Sequence, residues 1–321
     1  MPGSENRACV LGNGFSCRKI LAIVGPTASG KTRRAVDAAV ALNGEIVSAD
    51  SRQVYRGMDL GTGKDLEDYG NVSYHLIDVA DAGDKYNLYQ YLRDATCALA
   101  DISARGKVPV VCGGTGLYVE SLLKGMRLPE VPENSELRSS LSGKSLDELK
   151  AILEQMKTLH NDTDLDTVKR AVRAIEIQTY YRDHPDEAVG VNSPEPLPAV
   201  IVGVDIDRDS RRALISRRLK KRFEAGMTSE VERLISEGVA AEDLIYYGLE
   251  YKYVTLFVTG AISREEMERG LETAIHQFAK RQMTWFRGME RRGFSISWLP
   301  YDLDADEFTA RCVELYNGSL R

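Results

Sequence analysis

A parallel β-sheet flanked by helices is the fold class this sequence predicts, and three observations predict it. Short apolar runs of strand length (Ile20–Val24, Val108–Cys112, Ala199–Asp205) alternate with helical patterns. Glycine-rich turns follow Val24 and Cys112, at the strand ends where ligands of such sheets bind. Between the second and third runs lies a helical stretch bounded by prolines, so an α/β core carries an inserted helical region.

The elements follow in order. Ile20–Val24 reads as a buried strand, and helical spacing runs from Thr32 to Leu42. Glu45–Ala49 is a second strand and Tyr74–Val79 a third. Tyr86–Arg105 is a helix closed by Gly106, then come the strand Val108–Cys112 and a helix over Leu117–Lys124. Pro129–Pro132 breaks the pattern, and helices are expected over Ser145–Lys157 and Asp164–Arg182. The proline-rich His184–Pro198 reads as a linker, Ala199–Asp205 returns to strand, and Asp209–Arg292 is almost all helix. Ser263–Glu266 is a capping box opening the longest of these helices. The expected organisation is a tail (1–19), a first part of the core (20–128), an inserted helical region with linker (129–198), a completing segment that ends helical (199–300) and a C-terminal helix (301–321).

Composition bounds the function. With 321 residues, 43% hydrophobic and 28% charged, the chain suits a folded protein of about two domains, not a disordered, collagen-like or disulfide-stapled one. Its apolar runs are too short to cross a membrane and its polar start is no secretory leader. Five cysteines without a C-x-x-C pair predict a reduced, cytoplasmic chain, and the scattered histidines argue against structural zinc. A net charge of −6 announces no nucleic-acid binder, so any such role must rest on local basic clusters.

Gly25-Pro26-Thr27-Ala28-Ser29-Gly30-Lys31-Thr32 fits G-x-x-x-x-G-K-[ST], between a strand and a helix as that pattern requires. Such a loop turns its N–H groups on a phosphate, its lysine supplies a point charge, and Thr32 offers a hydroxyl to Mg²⁺. Most such loops bind ATP or GTP, which keeps a kinase or NTPase open. Asp50 follows the second strand, where a carboxylate serves as magnesium ligand, as base, or merely as a turn residue. Gly113-Gly114-Thr115-Gly116 is a second glycine turn with a hydroxyl at its centre. Lys280–Arg287 crowds basic and aromatic residues on one helix end, a pattern suited to phosphate contacts and base stacking but also to an ordinary solvated helix face.

Taken in order, GPTASGKT, SADSRQVYRGMDLGTGK, YHLID, GGTGLYVESLLKG, KRAVRAIEI and KRQMTWFR resemble the tRNA dimethylallyltransferases, from about Ile20 to Arg292. The resemblance implies transfer of a dimethylallyl group from dimethylallyl diphosphate to N6 of adenosine 37 in the tRNA anticodon loop, with Mg²⁺ as cofactor and a monomer as the expected state. It implies that the phosphate loop and Lys31 hold the leaving diphosphate, that Asp50 is the base, and that Thr115 and Arg218 act beside the diphosphate. It further implies tRNA contacts at Asp50, Ser51, Arg52, Gln53, Thr115, Arg138, Lys169, Arg170, Arg173, Lys280, Arg281, Gln282, Trp285 and Arg287. For Trp285 a core position is the favoured alternative, because an aromatic residue beside Phe286 on an amphipathic helix usually packs inward. Departures are the Tyr247–Tyr253 segment, the polar insert Ser139–His160 and the start Met1–Lys19; no Cys/His module follows Arg292, so the resemblance is to bacterial-type members. The alternatives are an adenylate isopentenyltransferase acting on free nucleotide, a small-molecule kinase, and a non-catalytic RNA-binding protein.

Overall fold

Residues 17–156, 167–187 and 195–318 are described by the structure, a computed structural model. The chain divides into two compact units, Met1–Gly125 with Pro196–Arg321, and Met126–Glu195.

In the larger unit the apolar runs become strands β1 (Ile20–Val24), β2 (Gly44–Ser48), β3 (Tyr74–His75), β4 (Val108–Gly113), β5 (Ala199–Asp205) and β6 (Ile296–Pro300). They form one parallel sheet in the order β3-β2-β4-β1-β5-β6. Every side chain of β1 and β4 is buried, as expected of central parallel strands covered on both faces. Val24 pairs with Gly113 of β4 and with Gly203 of β5, so the turns leaving β1 and β4 emerge side by side at the carboxyl edge.

Helices α1 (Lys31–Ala41), α2 (Leu88–Ala104) and α3 (Gly116–Leu123) connect the first strands. On one face, Leu21, Ile23, Val110 and Val202 pack against α1 through Ala35, Ala38 and Ala39, and against Phe308 and Cys312 of the final helix, α12 below. After β5 come α7 (Arg208–Glu224), α8 (Met227–Ser236), α9 (Ala241–Tyr246), α10 (Leu249–Val258), α11 (Arg264–Arg291) and, past β6, α12 (Ala305–Gly318). The α7–α11 group forms a second core in which Met227, Val231, Tyr251, Leu271 and Ile275 surround Val54, Tyr55 and Met58 of the loop after β2. That core fastens the loop to the helices. The capping box at Ser263 and Glu266 is present, both of its reciprocal bonds being made.

The smaller unit holds α4 (Ser135–Ser140), α5 (Leu146–Met156) and α6 (Val168–Asp183) around Leu141, Leu149, Leu153, Ala171 and Ile175.

Three elements differ from expectation. The strand expected over Tyr74–Val79 ends at His75, because Leu76 (φ 65°) and Asp78 (φ 56°) adopt left-handed backbone. The chain turns there to bond the loop after β2: Asp78 N donates to Gln53 O (3.1 Å) and Val79 N to Val54 O (2.8 Å). Strand β6 was not foreseen; its mostly half-exposed residues and terminal proline suit an edge strand, and pairing with β5 fixes it. The short α4 was also not foreseen. Most of the tail, the residues joining the two expected helices (157–166) and part of the His184–Pro198 linker lie outside the described residues.

Candidate active site

Gly25–Thr32 links β1 to α1. The turn places Gly30 at φ 76° and, less expectedly, Ala28 at φ 61°, so an alanine shares the left-handed curl expected of glycines alone. The Ser29 hydroxyl is buried with no hydrogen-bond partner among the described residues, a donor left for a ligand oxygen. The Lys31 ammonium folds back to 3.4 Å from Pro26 O. Burial pushes its pKa below the ordinary lysine value, with Asp50 pulling the other way and Arg218 adding to the depression. Those two groups therefore belong to the surroundings of Lys31.

A cavity of about 240 Å³ opens beside this loop, and Lys31, Thr32, Asp65, Asp68, Arg217 and Arg218 are in its wall. Of the neighbouring arginines, Arg218 is the fixed one: it pairs with Asp65 and donates to Gly63 O at 3.2 Å. Oxygen donors in the wall (the Thr32 hydroxyl, Asp65, Asp68) match the ligand preference of Mg²⁺.

Beyond β2, Asp50 accepts a 3.0 Å bond from Arg52 N through Oδ1, and its other oxygen has no hydrogen bond among the described residues. The Thr115 hydroxyl accepts from Ser51 N at 3.0 Å while Thr115 N donates to Ala49 O at 3.1 Å. These bonds lace the turns after β2 and β4 into one surface. Glycine is required at Gly116, where a Cβ would fall 2.2 Å from Trp285 Cδ1, and at Gly114, where it would fall 2.4 Å from Gln282 Nε2.

Several residues expected to touch tRNA do other work. Gln53 is buried with both amide ends used: its carbonyl accepts from Ser48 Oγ (3.1 Å) and its nitrogen donates to Gly63 O (3.1 Å). Gln282 is likewise internal, bonded to Thr27 N and Gly114 O. Trp285 lies on Gly116, half-buried, with its indole nitrogen covered. In the smaller unit Arg138 and Arg173 both close on the buried Glu176, Arg138 at 3.0 and 3.1 Å. Burial would raise the Glu176 pKa, but Arg138, the Asn134 N–H and Arg173 outweigh it and hold the carboxylate below its usual range. Those guanidiniums are counter-charges to Glu176 and stay half-exposed at the surface. Lys169, Arg170, Lys280, Arg281 and Arg287 are exposed, and Arg52 is half-buried.

Two residues essential to the shape of the site carried no sequence signal of their own. Glu230 of α8 accepts from three successive backbone N–H groups, Asp59 (2.9 Å), Leu60 (2.8 Å) and Gly61 (3.0 Å), and from Tyr251 OH (2.6 Å). Lys64 is fully buried, donating to Tyr55 O (2.7 Å), to Asp59 (2.6 Å) and to Asp78. Together they set the loop whose Gly63 carbonyl holds both Gln53 and Arg218. The divergent Tyr247–Tyr253 segment packs on the same loop, with Tyr251 against Gly61 and Glu250 3.3 Å from Arg222.

A parallel sheet with a phosphate loop after its first strand, a carboxylate on the neighbouring turn and cations converging on one cavity defines a P-loop protein of the group-transferring kind. The family model described as IPP transferase matches residues 53–289. The chain is 61% identical over 292 residues to tRNA dimethylallyltransferase 2 of Bacteroides fragilis, covering 90% of this chain and 94% of that one. It is 52% identical to tRNA dimethylallyltransferase 1 of Parabacteroides distasonis, covering 94% and 99%. Among solved structures, the tRNA isopentenylpyrophosphate transferase of Bacillus halodurans aligns with TM-score 0.67 at 30% identity, covering 94% of this chain and 95% of that one. A eukaryotic dimethylallyltransferase at 20% identity shares the fold, with TM-score 0.78 and coverage of 94% and 79%. The chain belongs to the IPP transferase family.

Proposed function

We propose that this chain transfers a dimethylallyl group from dimethylallyl diphosphate to N6 of adenosine 37 in tRNA. The observation that carries the reading is the phosphate-sized cavity walled by Lys31 and Arg218, with Asp50 on the neighbouring turn and Thr115 laced to that turn. As the bond between C1 and the bridging oxygen breaks, negative charge grows on the departing diphosphate. Lys31, Arg218 and the loop N–H groups stabilise it where it forms. The adenine nitrogen forms its bond to C1 and loses one proton, which Asp50 accepts. A flipped adenine reaches this position.

Thr32, with Asp65 near it, would hold Mg²⁺, which when bound neutralises charge on the diphosphate. No described helix is long and apolar enough to cross a membrane, and we place the reaction in the cytoplasm with the protein acting as a monomer.

The test is incubation with labelled dimethylallyl diphosphate and either tRNA or AMP, with ATP hydrolysis followed in parallel. Label is expected on tRNA and not on AMP, without ATP consumption. Label on AMP alone would make the protein an adenylate enzyme, and stoichiometric ATP use would make it a kinase. Lys31→Ala should weaken donor binding and slow transfer.

A further inference from the structure

A second and larger cavity, about 580 Å³, opens between the amino-terminal end of α7 and the middle of α11. Arg208, Arg211 and Arg212 line it from α7, Lys280 and Arg287 from α11. Elsewhere in this chain arginines are answered by carboxylates: Arg56 by Asp81, Arg105 by Glu45, Arg292 by Glu120. None of these five cations has an ion-pair partner among the described residues. Arg211 is the deepest; burial and then the neighbouring Arg287 depress its pKa while Asp207 pulls the other way, so like charges face one another across the opening beside one carboxylate. Asp205 and Asp207 also stand in the wall, but Asp207 Oδ1 is engaged by the N–H groups of Asp209 and Ser210 as the cap of α7. Burial and Arg212 lower the His276 pKa, against the pull of Glu272.

Unanswered cations held together by a fold imply an anion that answers them. The lining extends along α11 from His276 to Arg287, about 16 Å of helix. One phosphate or one diphosphate cannot meet both ends. The His276 imidazole is the one aromatic ring in the wall, so a run of stacked bases has no continuous platform. A strand of linked phosphates fits both facts.

We propose that this cavity is a phosphate-backbone site for RNA, with Arg208, Arg211 and Arg212 of α7 gripping tRNA opposite Lys280 and Arg287. The inference rests on tRNA being the acceptor, and it concerns positioning without sequence readout, because phosphate contacts carry no base information.

The test measures tRNA affinity from about 50 to 200 mM salt. It compares wild type, the triple variant Arg208→Gln, Arg211→Gln, Arg212→Gln, and the single variants Arg211→Gln and Arg211→Lys. The triple variant should flatten the dependence of log affinity on log salt by about two to three units, equally for substrate and non-substrate tRNA. Arg211→Gln should lose about one unit, whereas Arg211→Lys should keep the wild-type slope. Donor affinity should not change, since the diphosphate has its own cavity. An unchanged slope in Arg211→Gln with wild-type melting overturns the inference even should the triple variant fail to fold, and so does a parallel loss of donor affinity. Wild type that prenylates no tRNA would instead overturn the functional reading, so the two failures are separable.

Discussion

Gln282 accepts a 2.8 Å hydrogen bond from the backbone N–H of Thr27, and its amide nitrogen donates one of 2.8 Å to the carbonyl of Gly114. A single side chain on α11 therefore sets the spacing between the phosphate loop and the glycine turn that carries Thr115. Gln282→Ala leaves a buried carbonyl and a part-buried N–H without partners, at a cost of about 1–3 kcal/mol. Transfer should slow by about ten- to hundredfold as the two turns drift. Chemical unfolding and single-turnover rates check both; wild-type values in each would refute the bridge.

Asp50 keeps its shape and its bond from Arg52 N on replacement by asparagine but loses the capacity to take a proton. Asp50→Asn should slow the chemical step by about 10²–10⁴ while tRNA binding changes little. A single-turnover rate within about threefold of wild type would remove Asp50 from the base role.

Glu45 lies at the opposite end of β2 from the site, buried and bonded to Arg105 (2.7 Å), Lys107 (2.7 Å) and His75 (2.8 Å). The Arg105 bonds lead in holding its carboxyl well below the usual carboxylate range, against a burial penalty. A depressed folded-state pKa contributes stability above the unfolded pKa, and that stability is lost as pH falls from there toward the folded value. Glu45→Gln should thus lower stability at neutral pH by about 3–5 kcal/mol and flatten its decline below about pH 4.5. Activity per folded molecule should be unaffected. Unfolding curves at pH 7 and pH 3 make the comparison, and an equal loss at both would contradict the assignment.

Lys280, Arg281 and Arg287 are exposed, while Trp285 on the same helix is packed on Gly116. Alanine at each of the three cations should reduce the salt slope of tRNA binding by roughly one unit. Trp285→Ala should instead lower stability, by less than the about 3–5 kcal/mol of a fully buried aromatic, and leave the slope alone. Opposite results for the two classes, read from salt titrations and melting curves, would reverse the assignment of Trp285.

Legibility differed between elements for physical reasons. Strands β1, β4 and β5 were read from continuous apolar runs because burial on both faces leaves no other composition available to them. Edge strand β6 and the truncated β3 were missed or overextended, since a partner strand or a competing loop decides where an edge strand forms. The phosphate loop was legible because its chemistry lies within one short segment.

The sequence alone determined the motif set and most of the strands and helices in their order, and with them the family. Only the tertiary structure decided which polar residues face outward. Gln53, Gln282, Arg138 and Arg173 look like RNA contacts by family resemblance, yet each bonds a buried partner far along the chain or across a turn. Glu230 and the α7 arginines look like ordinary surface charge, yet one is enclosed by three N–H groups and the others line an unanswered basic cavity. A side chain's role depends on the dielectric and the partners around it, and long-range packing supplies both.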